Sequence, residues 1–201
     1  AKPQVQVFDI TWLTLLMAPT AWLGLKWSFL LHFFLAGLGM YLLMHFYMRL
    51  DPKICLLTAL LYVFNGNLLG EIAVGHMNVL NVYTLLPFIV LFTLLALGSS
   101  NWVGYSILAG LFFSFLIFGG SPQEALFVVF LFSFLISSHL IGKNFLKRLA
   151  KAFLVGTLVF LVFLGIASVK ILPTLEMLKI TSIRESGVPF ENLVGNGIFK
   201  I

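Results

Sequence analysis

The sequence predicts an all-α polytopic membrane protein, and its composition is the first observation behind that prediction. Hydrophobic residues make up 61% of the 201 residues, charged residues make up only 9%, and the mean hydropathy is +1.09. A soluble domain carries about 25% charged residues. The apolar residues also fall into runs of roughly 20 residues, the length that a helix needs to cross a bilayer.

Six of these runs are predicted to span the membrane, after a shorter N-terminal run. Residues 10–24 are apolar but short and are interrupted by Pro19, which favours an interfacial or re-entrant helix. Residues 36–39, Ala-Gly-Leu-Gly, offer a small-residue face for close helix packing. The predicted spans are residues 27–47, about 53–70, about 77–97, 102–118, 122–141 and about 152–172.

Local signals predict where these helices begin, break and end. Asp51-Pro52 is an N-cap followed by proline at the first helical position, and Asn65-Gly66 and Gly75-His76 are helix breaks. The turn at residues 98–101 separates two spans, and residues 142–151 are predicted to form a basic loop. Pro87 predicts a kink and Pro173 the end of the last span.

Three regions follow from this pattern. Residues 1–26 are predicted to be the tail of the first extracytoplasmic loop with its interfacial helix, residues 27–172 the six-span domain, and residues 173–201 an extracytoplasmic segment. The chain begins Ala-Lys-Pro-Gln without Met and ends in a polar segment. We therefore expect it to be part of a longer protein.

Charge placement predicts the orientation in the cell membrane. The loops at 48–53, 98–101 and 142–151 hold six basic residues against one acid, Asp51, so the positive-inside rule makes them cytoplasmic. The net charge of +5 then reflects this placement and does not indicate a nucleic-acid partner. Cys55 is the single cysteine, which excludes an intrachain disulfide.

Most of the acidic residues fall on the opposite, extracytoplasmic side, together with several other polar groups. Glu71 and His76 lie in one turn, and Ser121-Pro122-Gln123-Glu124 forms another with the spacing of a capping box. Glu71 is most simply a solvated loop residue; it could also be a carboxylate ligand of a metal, or, if buried, a general base. His76 could donate a hydrogen bond to a phosphate, carry a proton near neutral pH, or serve as a structural hydrogen-bonding group.

Arg184 and the start of the 122–141 helix are the other predicted anion contacts. A guanidinium grips phosphate in bidentate fashion, although Arg184 could instead pair with Glu185. The helix N-terminus offers free N–H groups, while Ser121 and Glu124 cap it. Three further histidines, His32, His45 and His139, are predicted to be packing or interfacial groups. No histidine pair has metal-ligand spacing, so a histidine-based metal site is not predicted; no cofactor is evident, and a divalent metal stays possible.

Four segments together resemble the YfhO-like bacterial and archaeal membrane proteins, within the GT-C-type superfamily of polytopic glycosyltransferases. They follow one another in order and are spread over residues 30–184. They are LLHFFLAGLGMYLL (Leu30–Leu43), FNGNLLGEIAVGHMNVLNVYTLLPF (64–88), FGGSPQEALF (118–127) and ILPTLEMLKITSIR (171–184).

The resemblance implies a GT-C-like fold that transfers a sugar from a polyprenyl-phosphate donor on the extracytoplasmic side. The acceptor would be a polymer, lipid or protein. His76, Arg184 and Gln123 would bind the donor phosphate, and a carboxylate, Glu71 or Asp9, would be the catalytic base. Some members of this superfamily use a divalent metal. The resemblance implies that the catalytic base lies in the first extracytoplasmic loop, of which only the tail is present; Asp9 is a weak candidate for it, and the alternative is that the catalytic carboxylate lies upstream of Ala1.

Two other functions are compatible with the sequence. Broken helices with polar groups are also typical of transporters, so a flippase of lipid-linked sugars is the first alternative. A non-catalytic membrane subunit of the same fold is the second.

Overall fold

The structure is a computed structural model that describes residues 10–74, 77–119, 122–141 and 144–180, and each regular element within these ranges is helical. The chain forms two units, residues 1–167 and 168–201, with the boundary inside the last helix. The helices are α1 (Ile10–Met17), α2 (Ala21–Leu42) with a π-helical continuation (Leu43–Tyr47), α3 (Pro52–Val63), α4 (Gly66–Val74), α5 (Met77–Gly98), α6 (Trp102–Phe118), α7 (Pro122–His139) and α8 (Phe145–Ile180).

Four helical segments within the described ranges are long and apolar enough to cross a membrane. They are Ala21–Tyr47, Pro52–Gly70, Val79–Gly98 and Phe145–Pro173. Trp102–Phe118 and Leu126–His139 are apolar but shorter. The predicted membrane-protein class is therefore supported by four long helices, and the number of six spans stays a prediction.

The span on α5 is the most enclosed of the four. In its most apolar window 56% of the residues are buried, against 22–24% in the other three. Two apolar clusters surround it: Ala96 and Leu97 pack with Ala109 of α6 and Val155 of α8, while Leu85 and Ile89 pack with other helices closer to the start of α5. The polar stretch that precedes α5 in sequence therefore leads into the centre of the first unit.

Small residues let α2 approach its neighbours closely, as the sequence predicted. Ala36 is fully buried, and a Cβ on Gly37 would lie 3.2 Å from Val63 of α3. A Cβ on Gly39 would lie 2.8 Å from the ring of Phe88 on α5. In a membrane, where lipid is as apolar as the helix surfaces, such close backbone approach is a main source of helix association.

Several predicted helix ends are confirmed. The carboxylate of Asp51 accepts a hydrogen bond from the Lys53 amide at 2.9 Å, with Pro52 at the first position of α3. Asn65 separates α3 from α4, and its side-chain oxygen accepts from the Leu68 amide at 3.1 Å. These caps replace the helical partners that the first amides of each helix lack.

Other predicted boundaries are wrong. The first span starts at Ala21 rather than residue 27, because the Thr20 hydroxyl caps α2 by accepting from the Leu23 amide. Residues 145–151 are helical rather than loop, since Lys and Arg favour helix and Asn144 makes the reversal with φ 64°. Pro173 does not end α8, which continues to Ile180.

Candidate functional site

The predicted site residues fall into two groups in the structure. Asp9, His76, Ser121 and Arg184 lie outside the described residues. Glu71 lies in α4, and Gln123 and Glu124 lie in the first turn of α7, but the structure does not describe their side chains. Their roles in catalysis, phosphate binding and capping stay predictions. What the structure does describe is the framework that carries them.

The start of α5, which follows His76 in sequence, is in direct contact with the end of α6, which precedes Ser121. Asn81, in the second turn of α5, is almost fully buried and donates from Nδ2 to the Phe115 carbonyl at 3.4 Å. A Cβ placed on Gly119, the C-cap of α6, would lie 1.9 Å from that same Nδ2 atom. Only glycine fits here, so the end of α6 packs directly on the start of α5. His76 therefore precedes, and Ser121 follows, two helix ends that touch.

Basic side chains hold the helix ends at the opposite side of the bundle. Lys151 Nζ of α8 donates to the Ser99 carbonyl, just after α5, at 2.8 Å. Arg148 Nη1 donates to the His139 and Ile141 carbonyls, at the end of α7, at 3.1 and 2.8 Å. Cations at helix C-termini bind carbonyls that have no helical donor and offset the negative end of the helix dipole. Two of the three segments predicted to be cytoplasmic, the turn at 98–101 and the start of α8, thus lie at one end of the first unit.

A buried polar network joins α1, α2 and α5 one to two turns from the Asn81 contact. The Ser28 hydroxyl donates to Thr11 Oγ1 at 3.0 Å, and His32 Nδ1 lies 2.8 Å from the Ser28 carbonyl. A carbonyl can only accept, so the Nδ1 atom of His32 carries a proton and donates to it. The Thr84 hydroxyl bonds the Leu80 carbonyl at 2.9 Å and lies 3.4 Å from the His32 carbonyl.

Sequence reasoning predicted a packing or interfacial role for His32 and missed this network. His32 is only 1% exposed and belongs to a stripe of small or polar residues on the buried face of α2. Their spacing of four, four, four and three keeps them on one side of a helix. This periodicity is readable in the sequence. The buried members are Gly24, Ser28, His32, Ala36 and Gly39.

Within the described residues, no three side chains of the His, Cys, Asp or Glu type come together in a way that could hold a metal ion. The side chains of Glu71 and Glu124 are not among those described. A divalent metal at the predicted site therefore stays open, as it does in the sequence.

Comparison of the chain with models of known protein families, with characterised proteins and with solved structures finds no match.

Proposed function

We propose that the chain is a membrane glycosyltransferase, or the membrane core of one, that takes a sugar from a polyprenyl-phosphate donor on the extracytoplasmic side. The contact of Asn81 with Gly119 carries this proposal, because it joins the helix ends that lead to His76 and to Gln123. The four-segment resemblance to YfhO-like proteins supplies the reaction class. The cell membrane and the orientation come from the positive-inside rule.

In the proposed reaction, the acceptor hydroxyl oxygen forms a bond to the anomeric carbon of the sugar. The bond from that carbon to the phosphate oxygen breaks, and its electron pair stays on the departing polyprenyl phosphate. The acceptor proton passes to a carboxylate, Glu71 or Asp9. His76, Arg184 and Gln123 stabilise the charge that develops on the phosphate.

The surrounding framework suits this chemistry. Hydrogen-bond donors such as His76, Arg184 and Gln123 stabilise a transition state best when their positions are fixed before the reaction. The Asn81 contact and the His32 network provide rigid support at this end of α5, where buried polar side chains bond to backbone carbonyls of other helices. The donor's isoprenoid tail would remain in the bilayer, alongside the apolar outer faces of the helices.

The test is transfer from a radiolabelled polyprenyl-phosphate sugar by the intact protein in proteoliposomes. We expect His76→Ala and Arg184→Ala each to lower the release of polyprenyl phosphate by about 100-fold, the cost of losing one oxyanion donor. Lys147→Ala, an exposed basic residue at the opposite end, is the matched control and should be unchanged. Unchanged release in both site variants would remove these residues from the site.

A transporter of lipid-linked sugars is the second candidate, favoured by the interruption of a span at Asn65. The break lies about 20 Å along the helix from Pro52, which is deep in the bilayer. Broken helices at such depth are typical of transporters. The same proteoliposomes discriminate the two functions: a transporter moves the labelled donor across the bilayer without cleaving the sugar–phosphate bond.

A further inference from the structure

Helix α1 has its polar side facing the protein and its apolar side facing outward. Thr11 and Thr14 are 8% and 7% exposed, whereas Leu13, Leu16 and Met17 are 57%, 81% and 71% exposed. A helix on the water-facing surface of a protein shows the reverse arrangement. The outer face of α1 therefore needs an apolar environment.

The inward face of α1 is fixed against the start of α2. A Cβ on Gly24 would lie only 2.9 Å from the Leu15 Cα atom, so the two backbones are in contact. The hydroxyl of Ser28 donates to Thr11, which satisfies part of the polar face. The described part of α1, eight residues or about 12 Å, is short enough to lie within one leaflet.

Lys26 indicates the level of the lipid phosphates. Its Nζ atom lies over the Trp22 ring, 5.1 Å from the centroid, and Trp22 is one turn closer to the start of α2. The lysine side chain therefore runs outward along the helix, as a snorkelling lysine does to bring its charge to the interface. The continuous helical span Ala21–Tyr47 has 27 residues, or about 40 Å, so it exceeds a hydrocarbon core of about 30 Å and reaches the interface at both ends. The start of α2 thus lies at one edge of the hydrocarbon.

We infer that the α1–α2 hairpin is a phospholipid-binding surface: the outer face of α1 lies against the acyl chains of one leaflet, and the Lys26 ammonium binds their phosphates. Leu30 and Phe34 are exposed on the same stripe of α2 as Trp22 and Lys26, on the side away from α1, and present a second apolar face to lipid. Trp12 and Trp22 add the amphipathic rings typical of the interface. This inference does not depend on the proposed enzymatic activity.

Spin labelling of the intact protein in phosphatidylcholine vesicles tests the acyl-chain contact. In a Cys55→Ala background, a label on Leu16→Cys should collide several-fold more with oxygen than with a water-soluble nickel chelate. The matched control is a label on Lys147→Cys, an exposed basic position, where the preference should reverse. Greater access to the chelate at Leu16 would overturn the inference, as would shielding from both reagents, which would mean that protein covers this face.

A second measurement addresses Lys26 and needs no label. The fluorescence of Trp12, taken as the difference between the protein and its Trp12→Phe variant so that Trp22 is kept, should be quenched several-fold more by phosphatidylcholine brominated in the acyl chains than by aqueous acrylamide. Lys26→Glu should reduce the quenching by brominated lipid, because a carboxylate repels the phosphates. Lys53→Glu is the control. Lys53 lies at the start of α3, at the opposite end of the bundle from Lys26, and its substitution should leave the quenching by brominated lipid unchanged. No effect of Lys26→Glu would remove the phosphate contact from the inference.

Discussion

At the scale of single residues, Pro87 shows how a buried backbone group is satisfied when a helix loses a donor. Proline has no N–H, so the carbonyl of Tyr83, four residues earlier, loses its helical partner. The Tyr62 hydroxyl of α3 donates to that carbonyl at 2.8 Å. In a bilayer no water can substitute for such a donor. The Tyr62 hydroxyl therefore replaces the amide donor that Pro87 lacks, and the two residues form a structural pair across two helices.

This pairing predicts a coupling between Tyr62→Phe and Pro87→Ala. Alone, Tyr62→Phe should lower the free energy of unfolding in detergent by about 1 kcal/mol, a typical value for a hydrogen bond between transmembrane helices. In the Pro87→Ala background the new amide donates to Tyr83, so the loss should be smaller. Tyr105→Phe, on a ring stacked against Phe92, is the control and should cost the same in both backgrounds. Equal costs for Tyr62→Phe in both backgrounds would contradict the pairing.

At the scale of helices, the contact between α5 and α6 makes the sharpest stability prediction. Gly119 has an ordinary helical backbone, with φ −65°, so alanine there is unfavourable only because of its methyl group. That methyl would overlap Asn81, and overpacking of this kind costs about 1–3 kcal/mol. Gly119→Ala should lower the unfolding free energy by that amount, measured by thermal or denaturant unfolding in detergent.

A double variant tests whether overlap with Asn81 causes the loss of stability in Gly119→Ala. Shortening the partner, in the double variant Gly119→Ala with Asn81→Ala, should recover part of the loss. Gly98→Ala is the matched control, because nothing lies within 4 Å of a Cβ at Gly98. If both single glycine variants lose equal stability, the contact that supports the proposed site is not as described.

The helices also show which features the sequence could predict. The cap at Asp51, the break at Asn65 and the small-residue face at 36–39 depend on residues within one or two turns, so the sequence alone indicates them. The bonds of Lys151 to Ser99 and of Ser28 to Thr11 depend on which helix lies beside which. The residue pattern of a helix predicts which of its faces is buried, but it does not predict which other helix packs against that face.

At the scale of the whole molecule, alternation of the helices across the membrane determines which turns share a compartment. The Lys151–Ser99 bond places the turn after α5 and the start of α8 at one end of the first unit, irrespective of how that unit is oriented. The basic residues near this end make it cytoplasmic by the positive-inside rule. The Lys151–Ser99 bond thus indicates which segments share one end, and the basic residues separately indicate that this end is cytoplasmic.

Cysteine accessibility separates these two statements. Cys55 is fully buried, so the unmodified protein should not react with a membrane-impermeant maleimide and provides the background control. In a Cys55→Ala background, cysteines at the exposed positions Ser100 and Lys147 should both be labelled only after the membrane is permeabilised. A cysteine at Pro19, in the exposed turn before α2, should be labelled in intact cells or spheroplasts.

The pattern of labelling distinguishes an error in the orientation inferred from charge from an error in the arrangement of α5 to α8. If Ser100 and Lys147 are labelled from the same side but from outside, the orientation inferred from charge is reversed and the proposed site would face the cytoplasm. If the two positions are labelled from opposite sides, the alternation of α5 to α8 is wrong, because one lysine cannot then bond a carbonyl in the other turn. In that case the turns leading to His76 and Gln123 would have no common compartment in which to bind a phosphate.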